Sequence, residues 1–237
     1  MDFTVRSRVE ELMDDPNMSF GLLKNAYRDI NFCNKWLGGE SITIQAVWKL
    51  IKNTPKKSYT ILDMGCGDGT MLWKLSNFLS KHGVFHKMMG VDQREDVLAI
   101  ARERCKGAPQ ISFHKADILM LGPGFECDIV INTLTMHHFE EERIGAFLQK
   151  FVELSSLGVV INDLERSKVS YALFKIFGPL FLQTHVAKYD GLVSISKGFK
   201  KHELLQMAKN IPSVSHDIRW KWAFRYVWVM EFNRHNN

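Results

Sequence analysis

The stretch "YTILDMGCGDGTMLWKLSNFL", Tyr59 to Leu79, decides the fold. It opens with a short apolar run, places glycines at 65, 67 and 69, and continues with apolar residues at three- and four-residue spacing. That order predicts a buried strand, a tight turn and a helix, a unit whose helix N-terminus receives a nucleotide-like ligand. The alternation continues downstream. Further strands are predicted at 87–93, 111–117, 127–135 and 157–164, separated by the amphipathic stretches "REDVLAIARERCKG" and "EEERIGAFLQKFVELS". Near-continuous apolar strands alternating with helices predict an α/β fold, a parallel sheet covered on both faces.

The flanks read differently. Residues 1–54 are helical in pattern ("RVEELMDD", "FGLLKNAYRDINFCNKWL", "SITIQAVWKLIKN"), broken at Asp-Pro-Asn and Gly-Gly, and are predicted to form an N-terminal cap. The ligand-binding domain is then 55–237. Its last stretch, "PSVSHDIRWKWAFRYVWVMEF", alternates and predicts two antiparallel strands. Before them, a long connection at about 163–210 carries two or three helices and reads as a cover over the ligand side of the sheet.

Composition sets bounds. With 237 residues, 46% hydrophobic and 24% charged, the chain can build a large core without disulfide or metal staples. Cys33, Cys66, Cys105 and Cys127 form no C-x-x-C pair, which fits a reducing, cytoplasmic setting. The N-terminus lacks the apolar core of a signal peptide. "YALFKIFGPLFL" (171–182), interrupted by Lys175, Gly178 and Pro179, is too short and too broken to span a bilayer. The net charge of +5 is spread along the chain and demands neither an acidic ligand nor nucleic acid.

The ligand is narrowed by charge. A dinucleotide turn has a third glycine where this chain has Thr70. Asp63 and Asp68 flank the turn and would repel a pyrophosphate. They suit a ligand with a cationic end. S-adenosylmethionine (SAM), which carries an ammonium and a sulfonium, is such a ligand.

"ILDMGCGDGT" resembles motif I of the class I SAM-dependent methyltransferases, of the small-molecule type. "GVDQ", "KAD" and "CDIVINTLTMHHF" stand where that family has its next three motifs, so the likeness covers about 55–165 and, loosely, the last two strands. The resemblance implies a Rossmann-like, seven-stranded, mostly parallel sheet with antiparallel C-terminal edge strands. It also implies SAM as cofactor, S-adenosylhomocysteine (SAH) as product, and no metal. Asp63, Gly65, Cys66 and Gly67 are then the cofactor turn. Asp92, twenty-five residues after Gly67, stands where a carboxylate can accept both ribose hydroxyls, with Gln93 beside it. Asp117 and Ile118 are placed at adenine. Asn132 either offers its carbonyl to the methionyl ammonium or is a polar residue at a strand end.

The acceptor is less legible. His137 and His138 are the catalytic candidates, because a phenol or enol must lose a proton and histidine is the usual base. Adjacent residues point in different directions, so one of them at most should face the pocket; the other reading is a packed histidine beside a surface one. His185 and Tyr189 are rivals. Asp163 and Glu165, past the fifth strand, read as substrate hydrogen-bond partners or as a salt bridge with Arg166, and no acid–histidine set has metal-ligand spacing. "NTLT" (132–135) is not the [N/D]-P-P-[Y/F/W] motif of base-amino methylation, so nucleic acid is not an expected partner. "SKGFKKHE" (196–203) reads as a solvated helix start. Phe174, Phe177, Phe181 and Leu182 either line an apolar pocket or pack the cover onto the sheet. The expected function is methylation, at oxygen or carbon, of a small aromatic or polyketide- or quinone-like acceptor. An RNA or protein methyltransferase and a non-catalytic SAM-binding module are the alternatives, and monomer and homodimer both stay open.

Overall fold

The computed structural model describes residues 2–232. Helices α1 (Phe20–Trp36) and α2 (Gly39–Asn53) precede β1 (Ser58–Met64). They are followed by α3 (Thr70–Lys81), β2 (Phe85–Asp92), α4 (Glu95–Arg104), β3 (Ile111–Lys115), β4 (Cys127–Thr133), α5 (Glu141–Leu154) and β5 (Ser155–Leu164). Then come α6 (Lys168–Phe181), α7 (His185–Lys197), α8 (Lys201–Lys209), β6 (Val214–Lys221) and β7 (Arg225–Phe232). The seven strands form one sheet in the order β3-β2-β1-β4-β5-β7-β6, with β1 to β5 parallel and β7 antiparallel to both its neighbours. The predicted Rossmann-like sheet and its antiparallel edge pair are both present. Strand order reverses between β1 and β4, and at such a switch point the carboxyl ends of the strands leave a crevice open to a ligand.

The period-two alternation of strand side chains divides the core into two layers. Leu62, Met64, Val130 and Trp228 face α5 and α8, packing with Phe151 and Leu204. Ile61, Ile129, Val160 and Val227 face α2 and α3, packing with Val47, Leu50, Leu72 and Leu75. Helix α2 therefore belongs to the same apolar layer as the sheet. Helix α1 instead joins a small third cluster, Leu23 and Ala26 with Met13, Val97 of α4 and Val186 of α7.

Two sequence expectations are corrected. "RVEELMDD" is not a helix: the chain runs without regular structure up to a single 3-10 turn at Leu12–Asp14. Its exposed Val9 and Leu12 give a helix no apolar face to bury, and its backbone is claimed from outside, where Asp190 accepts Leu12 N (2.7 Å) and Met13 N (2.9 Å), while the residues before it are held likewise. Ser7 N donates to Ser196 O (3.1 Å), Arg6 Nε donates to Lys197 O (2.9 Å), and Arg6 Nη2 donates to His137 O (2.8 Å). The fully buried Arg166 holds Phe3 O (3.0 Å) and Thr4 O (3.1 Å). The second correction concerns the cover. Of its three helices, α8 lies in the core through Leu204 and Ala208, so only the hairpin of α6 and α7 covers the strand ends. No helix among the described residues is long and apolar enough to cross a membrane, and all four cysteines are free.

Where β5 meets β7, a Cβ on Gly158 would lie 2.4 Å from the Met230 carbonyl oxygen, a backbone atom that cannot swing aside. Gly158→Ala is therefore expected to cost about 1–3 kcal/mol of stability, as overpacking does, read as a lowered urea midpoint at unchanged m-value.

Candidate active site

The glycine turn is tied to the end of β2. Gly65 N and Cys66 N both donate to Val91 O (2.8 and 3.0 Å), and Gly67 N donates to Asp92 Oδ2 (3.0 Å). The other Asp92 oxygen accepts Arg94 N (3.1 Å). Gly65 has φ 76°, and a Cβ there would sit 2.3 Å from Thr135 Cγ2, because Thr135 reaches across the crevice to donate to Gly65 O (3.1 Å). Positive φ and this close approach together require glycine. Tyr27 of α1 lies over the same turn, its Cε1 3.1 Å from where a Gly67 Cβ would stand.

The two acids of the turn differ, which narrows the charge argument drawn from the sequence. Asp68 is neutralised: Arg104 Nη2 (2.6 Å) and Asn31 Nδ2 (2.7 Å) both donate to its Oδ2. Asp63 is buried, its Oδ1 meets no hydrogen-bond partner, and burial, reinforced by nearby Asp92, pushes its pKa up to about 8. One carboxyl, neutral in the empty cavity at pH 7, is thus poised to ionise when a cation arrives.

Asp63, Gly65, Cys66, Gly67, Asp92, Gln93 and Ile118 line a single cavity of about 1140 Å³. Asp117 and Asn132 do not. Asp117 Oδ1 accepts Leu119 N (2.9 Å), capping a 3-10 turn after β3. Asn132 is fully buried, and its Nδ2 donates to Met64 O (2.6 Å), tying β4 to β1. In each of these polar residues a neighbour takes one atom, Asp117 Oδ1 or Asn132 Nδ2, and Asn132 Oδ1 meets no hydrogen-bond partner.

The same cavity contains both histidines, correcting the expectation that one at most faces it. Leu134 is held at φ 54°, a strained backbone for a branched residue, with its N–H donating to Asn162 O (2.9 Å). This reversal folds the 3-10 turn Met136–His138 back over β5. Asp163 Oδ2 accepts His137 N (3.0 Å), and its Oδ1 lies 2.6 Å from His137 Nδ1. Burial pushes the Asp163 carboxyl up, but the His137 ring and the hydrogen bonds from His137 and Leu164 prevail and hold it below the ordinary carboxylate range. An ionised carboxylate only accepts, so Nδ1 carries a proton and Nε2 is the ring nitrogen turned away from Asp163. His138 lies against Glu11 Oε2 (3.7 Å) and Asp14 Oδ2 (3.6 Å). Burial pulls its pKa down, yet these two acids raise it.

Asp163 is thus a partner of His137, and it makes no salt bridge with Arg166, which pairs with Glu203 (3.1 Å). Glu165 accepts Trp220 Nε1 (2.8 Å). His185 and Tyr189 are exposed and outside the cavity. Lys197, read as solvated, is buried with its Nζ 3.4 Å from Glu11 Oε1. Among the described residues, Glu11, His137 and His138 bring ligand-capable atoms within 4.8 Å of one another, and Lys197 already supplies the cation there.

Sequence reading missed Glu11, Tyr27, Glu40 and Arg225, all of which line the cavity. Glu11 sits in a helix-like pattern and the others carry no motif; only the folding of the N-terminal segment and of β7 against the crevice brings them in. The walls are aromatic: Phe174 and Phe177 from α6, Phe32 and Trp36 from α1, and Trp222 and Phe224 from the β6–β7 turn.

Residues 61–156 match the family described as "Methyltransferase domain". Among solved structures, the plantazolicin methyltransferase BpumL in complex with SAH is similar at 17% identity, over 93% of this chain and 92% of that one, with a TM-score of 0.68. The magnesium protoporphyrin IX methyltransferase ChlM from Synechocystis PCC 6803, with bound SAH, is similar at 18% identity, over 90% and 94%, with a TM-score of 0.61. The methyltransferase domain of bacterial CtHen1-C is similar at 18% identity, over 83% and 98%, with a TM-score of 0.61. No curated protein matches. At these identities the structural likeness is one of fold.

Asp163 accepts three N–H donors, and an asparagine offers one oxygen plus an amide that must face a donor. Asp163→Asn is expected to lower stability by about 1–3 kcal/mol, the cost of a buried unsatisfied donor, measured by urea unfolding at neutral pH. Because the folded pKa lies below the unfolded one, the carboxylate's contribution is present above the unfolded value and is lost as pH falls through the folded one. The gap between variant and wild type should therefore close in acid.

Proposed function

We propose that this class I SAM-dependent methyltransferase passes its methyl group to an oxygen or an activated carbon of a small aromatic or polyketide- or quinone-like acceptor. One observation carries the reading. A single cavity holds the Asp92-latched glycine turn at one end and the Asp163-anchored His137 at the other, between aromatic walls. Two similar structures are named for discrete molecules, plantazolicin and magnesium protoporphyrin IX, which supports a discrete acceptor over RNA or a protein.

In this reading Gly65 and Gly67 let the backbone approach the cofactor closely. Each Asp92 oxygen already accepts one N–H and keeps a lone pair for a ribose hydroxyl. Cys66, Gln93 and Ile118 flank the nucleoside, and the second oxygen of Asp117 remains for adenine. Asp63 faces the cationic end, while Asn132 serves the strand pairing. SAM supplies an electrophilic methyl on a positively charged sulfur. The chain's own residues position the acceptor for in-line attack and exclude water. His137 Nε2 takes the proton of the acceptor hydroxyl or enol, Asp163 steadies the ring, and Glu11, with Oε1 3.8 Å from Nε2, stabilises the imidazolium that results. His138, held more basic by Glu11 and Asp14, shapes the acceptor wall beside it.

Calorimetric titration of SAM tests the cofactor end. Wild type should bind, and Asp92→Ala should lose about 10- to 100-fold, the worth of a charge-assisted hydrogen-bond set. Absence of binding to wild type would remove the proposal. Asp63 adds a pH signature. Its folded pKa of about 8 exceeds the unfolded 3.8, so in the empty protein its contribution to stability is full below the unfolded value and is lost as pH rises through the folded one. Binding of a cation should release a proton to the buffer, so affinity should rise between about pH 6 and 8 and become flat in Asp63→Asn. With an acceptor found among phenols and quinones, His137→Gln should lower kcat by about 10²–10⁴ with little change in KM.

A further inference from the structure

Arg225, the first residue of β7, lines the cavity and is 3% exposed, yet its Nε and Nη1 meet no hydrogen-bond acceptor. A buried guanidinium without a counterion is costly, and burial pulls its pKa down to about 10 against the support of Asp163, Cys33 and Glu40. None of these three is its own partner. Glu40 Oε2 is paired with Lys74 while its Oε1 meets no hydrogen-bond partner, Asp163 is bonded to His137, and burial with nearby Asp29 keeps the Cys33 thiol neutral by raising its pKa. Gly39 is bare on the side facing this group: a Cβ there would lie 1.9 Å from Asn34 Oδ1, itself without a hydrogen-bond partner, and 2.3 Å from Arg225 Nη1. Helix α2 begins at this point with no side-chain cap, so its positive end adds to the field.

We propose that the acceptor is a carboxylic acid and that Arg225 receives its carboxylate, a deepening that rests on the methyltransferase reading above. The planar fork of Nε and Nη matches a carboxylate in two parallel hydrogen bonds. Position separates this group from the cofactor's own carboxylate. Asp63, assigned to the cationic end of SAM, is on β1, three strand spacings or about 14 Å across the sheet from β7. Arg225 instead pairs with Leu164, next to Asp163 of the histidine pair. An aromatic acid between the two ends would offer its hydroxyl or ring to His137 and its carboxylate to Arg225, with Phe174 and Phe177 against its apolar body.

The test uses a fluorescent aromatic acid, 3-hydroxy-2-naphthoate, and its methyl ester, titrated into SAH-loaded wild type, Arg225→Met and Arg225→Lys. The expected result is that wild type prefers the acid by about tenfold or more, that the Met variant loses the preference, and that the Lys variant keeps part of it. Arg225→Met should also melt at or above the wild-type temperature, since it removes an unpaired buried charge; a purely structural arginine would melt lower. Equal binding of acid and ester by wild type, or an acid preference that survives in the Met variant, would overturn the assignment. If the Met variant fails to fold, the Lys variant decides by the same comparison. Binding of SAH against 5′-methylthioadenosine, which lacks the amino-acid end, separates the two sources of carboxylate. Loss of SAH alone in Arg225→Met would give the guanidinium to the cofactor and overturn the acceptor reading. Failure of wild type to bind SAH would strike the methyltransferase reading only, because the acid–ester comparison can be made on the empty protein.

Discussion

At the carboxyl ends of β1 and β4 the chain departs to opposite sides of the sheet, and the rest of the site depends on that divergence. Two parallel strands separating in this way leave a crevice that neither flanking helix can fill. The chain crosses it at close range, Thr135 against Gly65, and only a glycine backbone at positive φ tolerates the contact. The turn is then fixed from the other side by Val91 O and by Asp92. A mobile loop could not present its amides to a ligand without an ordering cost. This one is already ordered.

Charge is distributed along the cavity with each end matched to a different need. Asp68 is spent on Arg104, leaving Asp63 as a buried carboxyl that is neutral at pH 7 in the empty cavity. Asp163 is the reverse case, ionised in spite of burial because His137 and backbone N–H groups hold it. Two buried aspartates thus take opposite protonation states at neutral pH, because Asp163 has the His137 ring and N–H donors around it while Asp63 has an unpartnered oxygen and Asp92 nearby. Arg225 completes the pattern as a buried cation whose Nε and Nη1 meet no acceptor, beside acids that pair with Lys74 and His137.

The cavity is roofed by parts distant in sequence. The N-terminal strap contributes Glu11, α1 contributes Tyr27 over the glycine turn, and α6 contributes its aromatic face. The strap is held through backbone carbonyls: Arg6 ties it to the histidine turn and α7, and Arg166, just past β5, binds Phe3 O. A segment fixed mainly by long-range hydrogen bonds has no local pattern to announce it, which is why a helix-like stretch at 8–15 is not helical.

The sequence by itself determined the parallel sheet, the glycine turn and the acids at 63 and 92 beside it, because apolar period, glycine spacing and strand-end acids are local properties set within some thirty residues. It also marked His137 and His138 as chemistry-bearing without showing that both reach the cavity. Only the tertiary structure decided that Asp163 orients His137, that Glu11 stands behind its Nε2, that Asp117 caps a turn and that Arg225 is left unpaired. Each of those facts is a distance between side chains from separate elements, brought together by the sheet order. The register of β5 with β7 and the path of an irregular strap set those distances, and neither leaves a periodic trace in the chain.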